Sequence, residues 1–300
     1  MLLKAIDKKF KIVDAFFILM MIIPILTGIV LQVLTKPQSE GITITGARIF
    51  FTIPMPIQDF PVTESQVNSA LVLIAIVFLC LFLTHGIEEK VHLKRQHFAE
   101  LIVEKVDGMV LENMGEYFKG YSPFIIAILA FSAFSSLLSL FGLFPPTSDI
   151  NIVAGWAILV FILITYYKLK CGPVYYLKSF TEPVAFLAPI NFLSEFATPI
   201  SMSFRHYGNV LSGTVISVLI GTALAGLSNL VLGNLPGFLA DIPLFQIGLP
   251  AVLSIYFDVF SGCLQAFIFA MLTMLNVSGA FPLDEFEKRR QKKLSKNKNK

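Results

Sequence analysis

"PINFLSEFATPISMSFRHYGNVLSGTVISVLIGTALAGLSNL", residues 189–230, is apolar along most of its length yet carries an arginine near its centre. As a helix rising about 1.5 Å per residue, it is too long for one upright crossing of roughly 30 Å of hydrocarbon. The stretch must tilt strongly, break, or fold back as a hairpin. Arg205 is the only Lys or Arg between Lys178 and Lys288. A guanidinium does not shed its charge. Setting one at mid-bilayer costs roughly 2.5–3.5 kcal/mol even on the lenient insertion scale. A chain that accepts this cost needs a permanent positive charge at that place.

The rest of the sequence agrees with a membrane setting. Of its 300 residues 55% are hydrophobic and only 14% charged, and the mean hydropathy is +0.76; soluble chains carry about 25% charged residues. Solid apolar runs, rather than short alternating segments, exclude a β-barrel and leave helices, whose backbone groups are satisfied internally. The fold class is therefore an all-α polytopic membrane protein. Cys80, Cys171 and Cys263 are scattered and odd in number, which suggests buried small hydrophobes and neither a disulfide framework nor a metal cluster. No cofactor, metal or nucleic-acid motif rises above chance, and the 29 phenylalanines read as packing and lipid-facing residues.

Working outward, six spans are expected. "FFILMMIIPILTGIVLQVL" at 16–34 follows a basic segment but lacks a small-x-small cleavage site, so it reads as a retained anchor. A second span, about 67–87, is opened by "VTESQV", where Thr63 and Gln66 fit a capping box. The charged stretch 88–120 has apolar residues at helical spacing, which predicts an amphipathic helix near 88–118 on the cytoplasmic membrane surface. Further spans follow at about 121–144, 150–167 and 248–276, with the long stretch near 189–230 between the last two. Lys and Arg gather in the N-terminal segment, in 88–120, in 168–178 and in the tail, whereas 35–66, 145–149 and 231–247 hold only Lys36 and Arg48. With six crossings all the basic segments fall on one side, so both termini are expected in the cytoplasm. The chain then divides into 1–51 (basic segment, extra anchor and outside loop), a membrane domain over 52–283, and a basic tail over 284–300 that lies near anionic lipid.

Residues three, four and seven apart share a helix face. Around Arg205 that face collects Thr198, Ser201, Gly208, Asn209 and Ser212, with Glu195 on its flank. In the last span Ser254, Asp258, Ser261, Gly262 and Gln265 form a second polar stripe. Such stripes face another helix or a watery path, and ion relays are built from these groups. The plainer readings are an ion pair of Arg205 with Glu195 or Asp258, a packed His206, a solvated Asp241 in an outside loop, and Gln265 as interhelical glue.

These residues also resemble a known family. "ISMSFRHYGNVLSG" (200–213) is similar to the signature of subunit a of F-type ATP synthases: Pro, Ser, the arginine, a Gly-Asn pair and a small-Gly pair. "PVTESQVNSALV", "GLFPPTSDINIVAGWAI", "LKSFTEPVAFLAPINFLSEFATP" and "CLQAFIFAMLTM" resemble other stretches of that family in the same order, over about 52–283. The resemblance implies a stator that is not catalytic by itself, beside a ring of small c subunits with membrane-embedded carboxylates. Its other implied partners are a peripheral-stalk b subunit, a soluble ATP-synthase head and the lipid of a bacterial plasma membrane. It also implies two half-channels, for protons, with Arg205 as the essential arginine between them. Glu195, Asn209 and Gln265 correspond to polar residues of the path, and Ser201 and Ser212 belong to the stripe that lines it.

The sequence departs from the family in two places. Nine residues after the arginine many members have an acid, here Thr214; seven before the glutamine many have His, here Asp258. Asp258 is expected to supply the ionisable group that Thr214 lacks. A secondary transporter would show inverted repeats, and an intramembrane hydrolase a second catalytic group; the sequence has neither pattern. Reporter fusions after Lys9, within 88–120 and at the C-terminus are expected to read cytoplasmic, and fusions within 40–60 outside. An external N-terminus would overturn the six-span reading.

Overall fold

The computed structural model describes residues 2–35, 46–56, 58–87, 94–181, 184–232, 245, 248–283, 286 and 287. Among these, six helices are long and apolar enough to cross a membrane: Lys11–Leu34, Glu64–Thr84, Glu116–Phe141, Ile150–Lys170, Ala188–Val231 and Val252–Gly279. Their lengths follow from the apolar runs, because in hydrocarbon a chain has no other way to pair its backbone groups. Asp241, Lys36 and the basic tail beyond residue 287 lie outside the described residues.

The expected anchor is the second half of one helix, α1 (Leu2–Thr35), which packs along α2 (Glu64–Thr84). A hairpin that the sequence reading missed precedes α2: β1 (Ile49–Ile53) pairs antiparallel with β2 (Phe60–Thr63), Phe51 opposite Val62 and Ile53 opposite Phe60. Its signal was the aromatic and β-branched pair of segments around a proline-rich turn. The Thr63 amide donates to Gln66 Oε1 at 3.2 Å, as the capping box requires.

The amphipathic helix is α3 (Lys94–Met114); residues 88–93 of the expected stretch are outside the described ones. Val106, Val110 and Met114 turn inward and join Ile125 of α4 (Ser122–Leu137), Val160 and Ile164 of α5 (Ile150–Lys170), and Phe269, Met274 and Val277 of α9 (Gly262–Gly279) in the main core. Asp149 caps α5, accepting from the Asn151 amide at 3.0 Å, and also receives the Ser65 hydroxyl of α2. Asn68 Nδ2 donates to the Phe144 carbonyl at 2.8 Å. These bonds tie one end of α2, α4 and α5 together.

The long stretch is one continuous helix, α7 (Ala188–Leu232), 45 residues with Pro199 inside it. Neither break nor hairpin occurs. At 1.5 Å per residue it runs roughly 67 Å, about twice the hydrocarbon thickness, so a strong tilt is the remaining solution. Short α6 (Pro173–Thr181) joins α5 to it. The last span is less regular than expected. α8 (Leu249–Ser254) passes into a π-helical segment, Ile255–Ser261, before α9 begins. Of the three cysteines only Cys171 is buried; Cys80 and Cys263 are exposed, as apolar side chains on lipid-facing helices can be.

Gly262 marks the closest approach of the last span to α4. A Cβ there would lie 2.6 Å from Ser136 Cβ. Gly262→Ala is expected to lower thermal stability in detergent by about 1–3 kcal/mol through overpacking. Ser136→Gly in the same chain should recover part of it; an unchanged melting temperature in Gly262→Ala would contradict this packing.

Candidate functional site

The polar stripe around Arg205 divides among three directions. Ser201, Arg205 and Ser212 are exposed on one face of α7, beside Ile200 and Phe204 at 55% and 61% exposure. Among the described residues Arg205 makes no hydrogen bond or ion pair. The expected alternative of a pair with Glu195 or Asp258 is therefore not formed. His206, the next residue, is 1% exposed. Its ring packs edge-on to Trp156 and Phe269 at 5.9 and 5.8 Å, with Nε2 3.4 Å from Ser132 Oγ. It is a packing histidine, and it fixes which side of α7 faces inward.

Asn209 links the two stripes. Its Nδ2 donates to Ser261 Oγ at 2.6 Å, joining α7 to the end of the π-helical segment. Gly213 permits the approach, since a Cβ there would stand 3.0 Å from the Phe257 ring. The π turn changes the angular step of the last span. Asp258 thereby enters a small recess of about 10 Å³ with Ser136, Ser139, Pro145, Asn209 and Thr214. Ser139, whose hydroxyl donates to the Ser136 carbonyl at 2.8 Å, lines the same recess. Thr214 and Asp258, on different helices, thus border one space. Gln265 is half-buried and forms no hydrogen bond among the described residues, and the π turn between it and Asp258 removes the simple two-turn register read from their spacing.

A second recess, about 280 Å³, lies at the other end of the bundle. Lys168, Asn191, Ser194, Glu195, Thr198 and Asn276 supply its polar lining. Glu195 is buried, and Lys168 Nζ lies 3.0 Å from its Oε1. The Tyr176 hydroxyl donates to the same oxygen at 3.3 Å. Burial first, then the Glu195 charge, raises the Tyr176 hydroxyl above its ordinary pKa, so it stays a donor. Lys168 had been read only as a topology charge, and Ser136, Ser139, Asn191 and Asn276 had not been singled out. Each is one polar residue in an apolar helix, so only the partner helix reveals its role.

Along α7 the two recesses bracket Arg205. Glu195 precedes it by about 15 Å of helix axis and Thr214 follows by about 13 Å. Sequence comparison points to one family. A profile described as ATP synthase A chain matches residues 67–278. The chain is 32% identical over 235 residues to the ATP synthase subunit a of Priestia megaterium, covering 74% of this chain and 94% of the relative. It is 30% identical over 230 residues to the ATP synthase subunit a 3 of Pelobacter propionicus, covering 75% and 91%. A relative from Propionigenium modestum, named ATP synthase subunit a, sodium ion specific, is 27% identical over 269 residues, covering 79% of this chain and 86% of the relative.

Proposed function

The chain belongs to the ATP synthase A chain family, and from that premise we propose that it passes ions through two half-paths separated by the fixed charge of Arg205. The observation that carries this reading is the arrangement along α7: a polar recess toward each end, and between them an exposed, unpaired guanidinium. The inner half-path runs by Glu195 and the outer one by Asp258 and Asn209, with Ser201, Ser212 and Gln265 along the face presented to the partner.

That partner is a ring of small c subunits, each with a carboxylate in the membrane. In lipid the carboxylate must be neutral, because desolvation disfavours its charged form. Opposite Arg205 the ionised form becomes favourable and the bound ion leaves. The same charge stops ions from running directly between the recesses. Each charge that crosses yields about 2.3 kcal/mol per 100 mV, and this drives rotation only while the direct leak is closed. The peripheral stalk b subunit and the soluble head, where ATP is made, complete the assembly. In this reading the basic segments and both termini lie on the cytoplasmic side of a bacterial membrane.

The ion in this reading is a proton. The outer recess is bordered by Asp258, an acid of the kind from which proton relays are built. ATP-driven uptake into vesicles should therefore proceed in Na⁺-free buffer; a strict Na⁺ requirement would reverse this assignment.

Arg205→Ala is expected to abolish ion-coupled ATP synthesis with assembly largely intact, since the surrounding stripe stays small and polar. Arg205→Lys should fail too, because an amine in such a site can deprotonate. Normal coupled synthesis in either variant would remove Arg205 from the role of charge barrier. Asp258→Asn keeps the shape and removes the proton site, so coupled transport should fall by about tenfold or more. Thr214→Glu in the Asp258→Asn chain should restore part of it, since both positions border one recess. Unchanged transport in Asp258→Asn would move the outer path elsewhere.

A further inference from the structure

One charged group of the inner recess has no part in the path as described. Lys168 stands in the last turn of α5, with its ammonium 3.0 Å from Glu195 Oε1. The ammonium also lies 5.8 Å from the Tyr176 ring centroid and 6.0 Å from that of Phe180, both on α6. Short α6 thus covers the pair, and its Tyr176 hydroxyl adds a second donor to the same carboxylate oxygen, at 3.3 Å. Glu195 Oε2 is different. It is buried and has no hydrogen-bond partner among the described residues, although its side chain lines the recess of about 280 Å³.

Two donors on one oxygen and none on the other fix the orientation of a carboxylate. An isolated buried carboxylate would rotate toward whichever donor it could reach, because a buried charge without a partner is costly. We propose that Lys168 is a positioning residue of the inner ion path: its charge holds Glu195 by Oε1, so that Oε2, buried and unpartnered in the wall of the recess, is left as the acceptor for the translocated ion. Among the described residues, the charged or titratable groups facing the carboxyl are Lys168 from α5 and Tyr176 from α6, and α7 and α9 add the neutral Asn191, Ser194, Thr198 and Asn276. The ammonium must therefore supply the compensating charge, and an apolar side chain of similar length could not. The proposal rests on the reading of Glu195 as a path residue.

The test uses the assembled ATP synthase in vesicles and measures ATP-driven ion uptake, with co-purification of the complex as the check on assembly. Lys168→Met keeps the aliphatic stem and removes the charge; it is expected to slow uptake by about tenfold, whereas Lys168→Arg, which stays charged, should remain within about twofold. In a Glu195→Gln background the Lys168→Met change should cost less than about twofold, because coupled residues are non-additive. A packing role predicts the reverse order, with Met at least as good as Arg. Normal uptake in Lys168→Met, equal loss in Met and Arg, or a full tenfold loss in the Glu195→Gln background would each overturn the proposal. If Lys168→Met does not assemble, the double variant, which leaves no unpaired charge, is compared with Glu195→Gln to decide the same question. Normal uptake in Glu195→Gln itself would instead overturn the inner path on which the proposal stands.

Discussion

The hydrogen bond from Asn209 to Ser261, 2.6 Å long, joins the longest helix to the last span, at the border of the recess that holds Asp258 and Thr214. Gly213 allows the approach by leaving room for Phe257. With Asn209 and His206 turned inward, the helix has only one face left for Arg205, and that face is open. A charge that cannot be neutralised is thereby held at the surface of the protein within the span. A site facing a moving partner needs this geometry, because an arginine paired within its own chain would have its charge already compensated.

The bond falls at the end of the π-helical turn. A regular α-helix from 249 to 279 would keep Asp258 and Gln265 in one two-turn register. The wider turn over Ile255–Ser261 carries Asp258 into the recess with Ser139 and Thr214 instead. π-helical turns occur frequently at functional sites, and here the physical consequence is specific: an acid is moved from one helix stripe to the border of another. Thr214 and Asp258 thereby border one space from two different helices.

Different forces hold the two ends of the bundle. At one end, neutral and charged side chains bond to backbone and caps: Asp149 with Ser65 and Asn151, Asn68 with Phe144. At the other end, an ion pair between half-buried Lys168 and buried Glu195, beside the Tyr176 ring, does the equivalent work. An ion pair is a weak source of stability in a poorly hydrated place, since desolvation offsets the attraction. Its presence there is better explained by orientation than by stability.

The sequence by itself determined the class of protein and the number of spans, and it pointed to the residue about which the candidate site is built. These are properties of hydropathy, charge and spacing, which act along one segment at a time. It also identified Glu195, Asn209 and Asp258 as path candidates, because polar residues in hydrocarbon are expensive enough to need a reason. It did not determine that α7 is unbroken, that a β-hairpin precedes α2, or that Glu195 pairs with Lys168 and leaves Arg205 free. Nor did it reveal the π turn that places Asp258 beside Thr214. Those features depend on which helices meet and at what rotation, and a lone serine, asparagine or lysine carries no information about the face opposite it until the chain has folded.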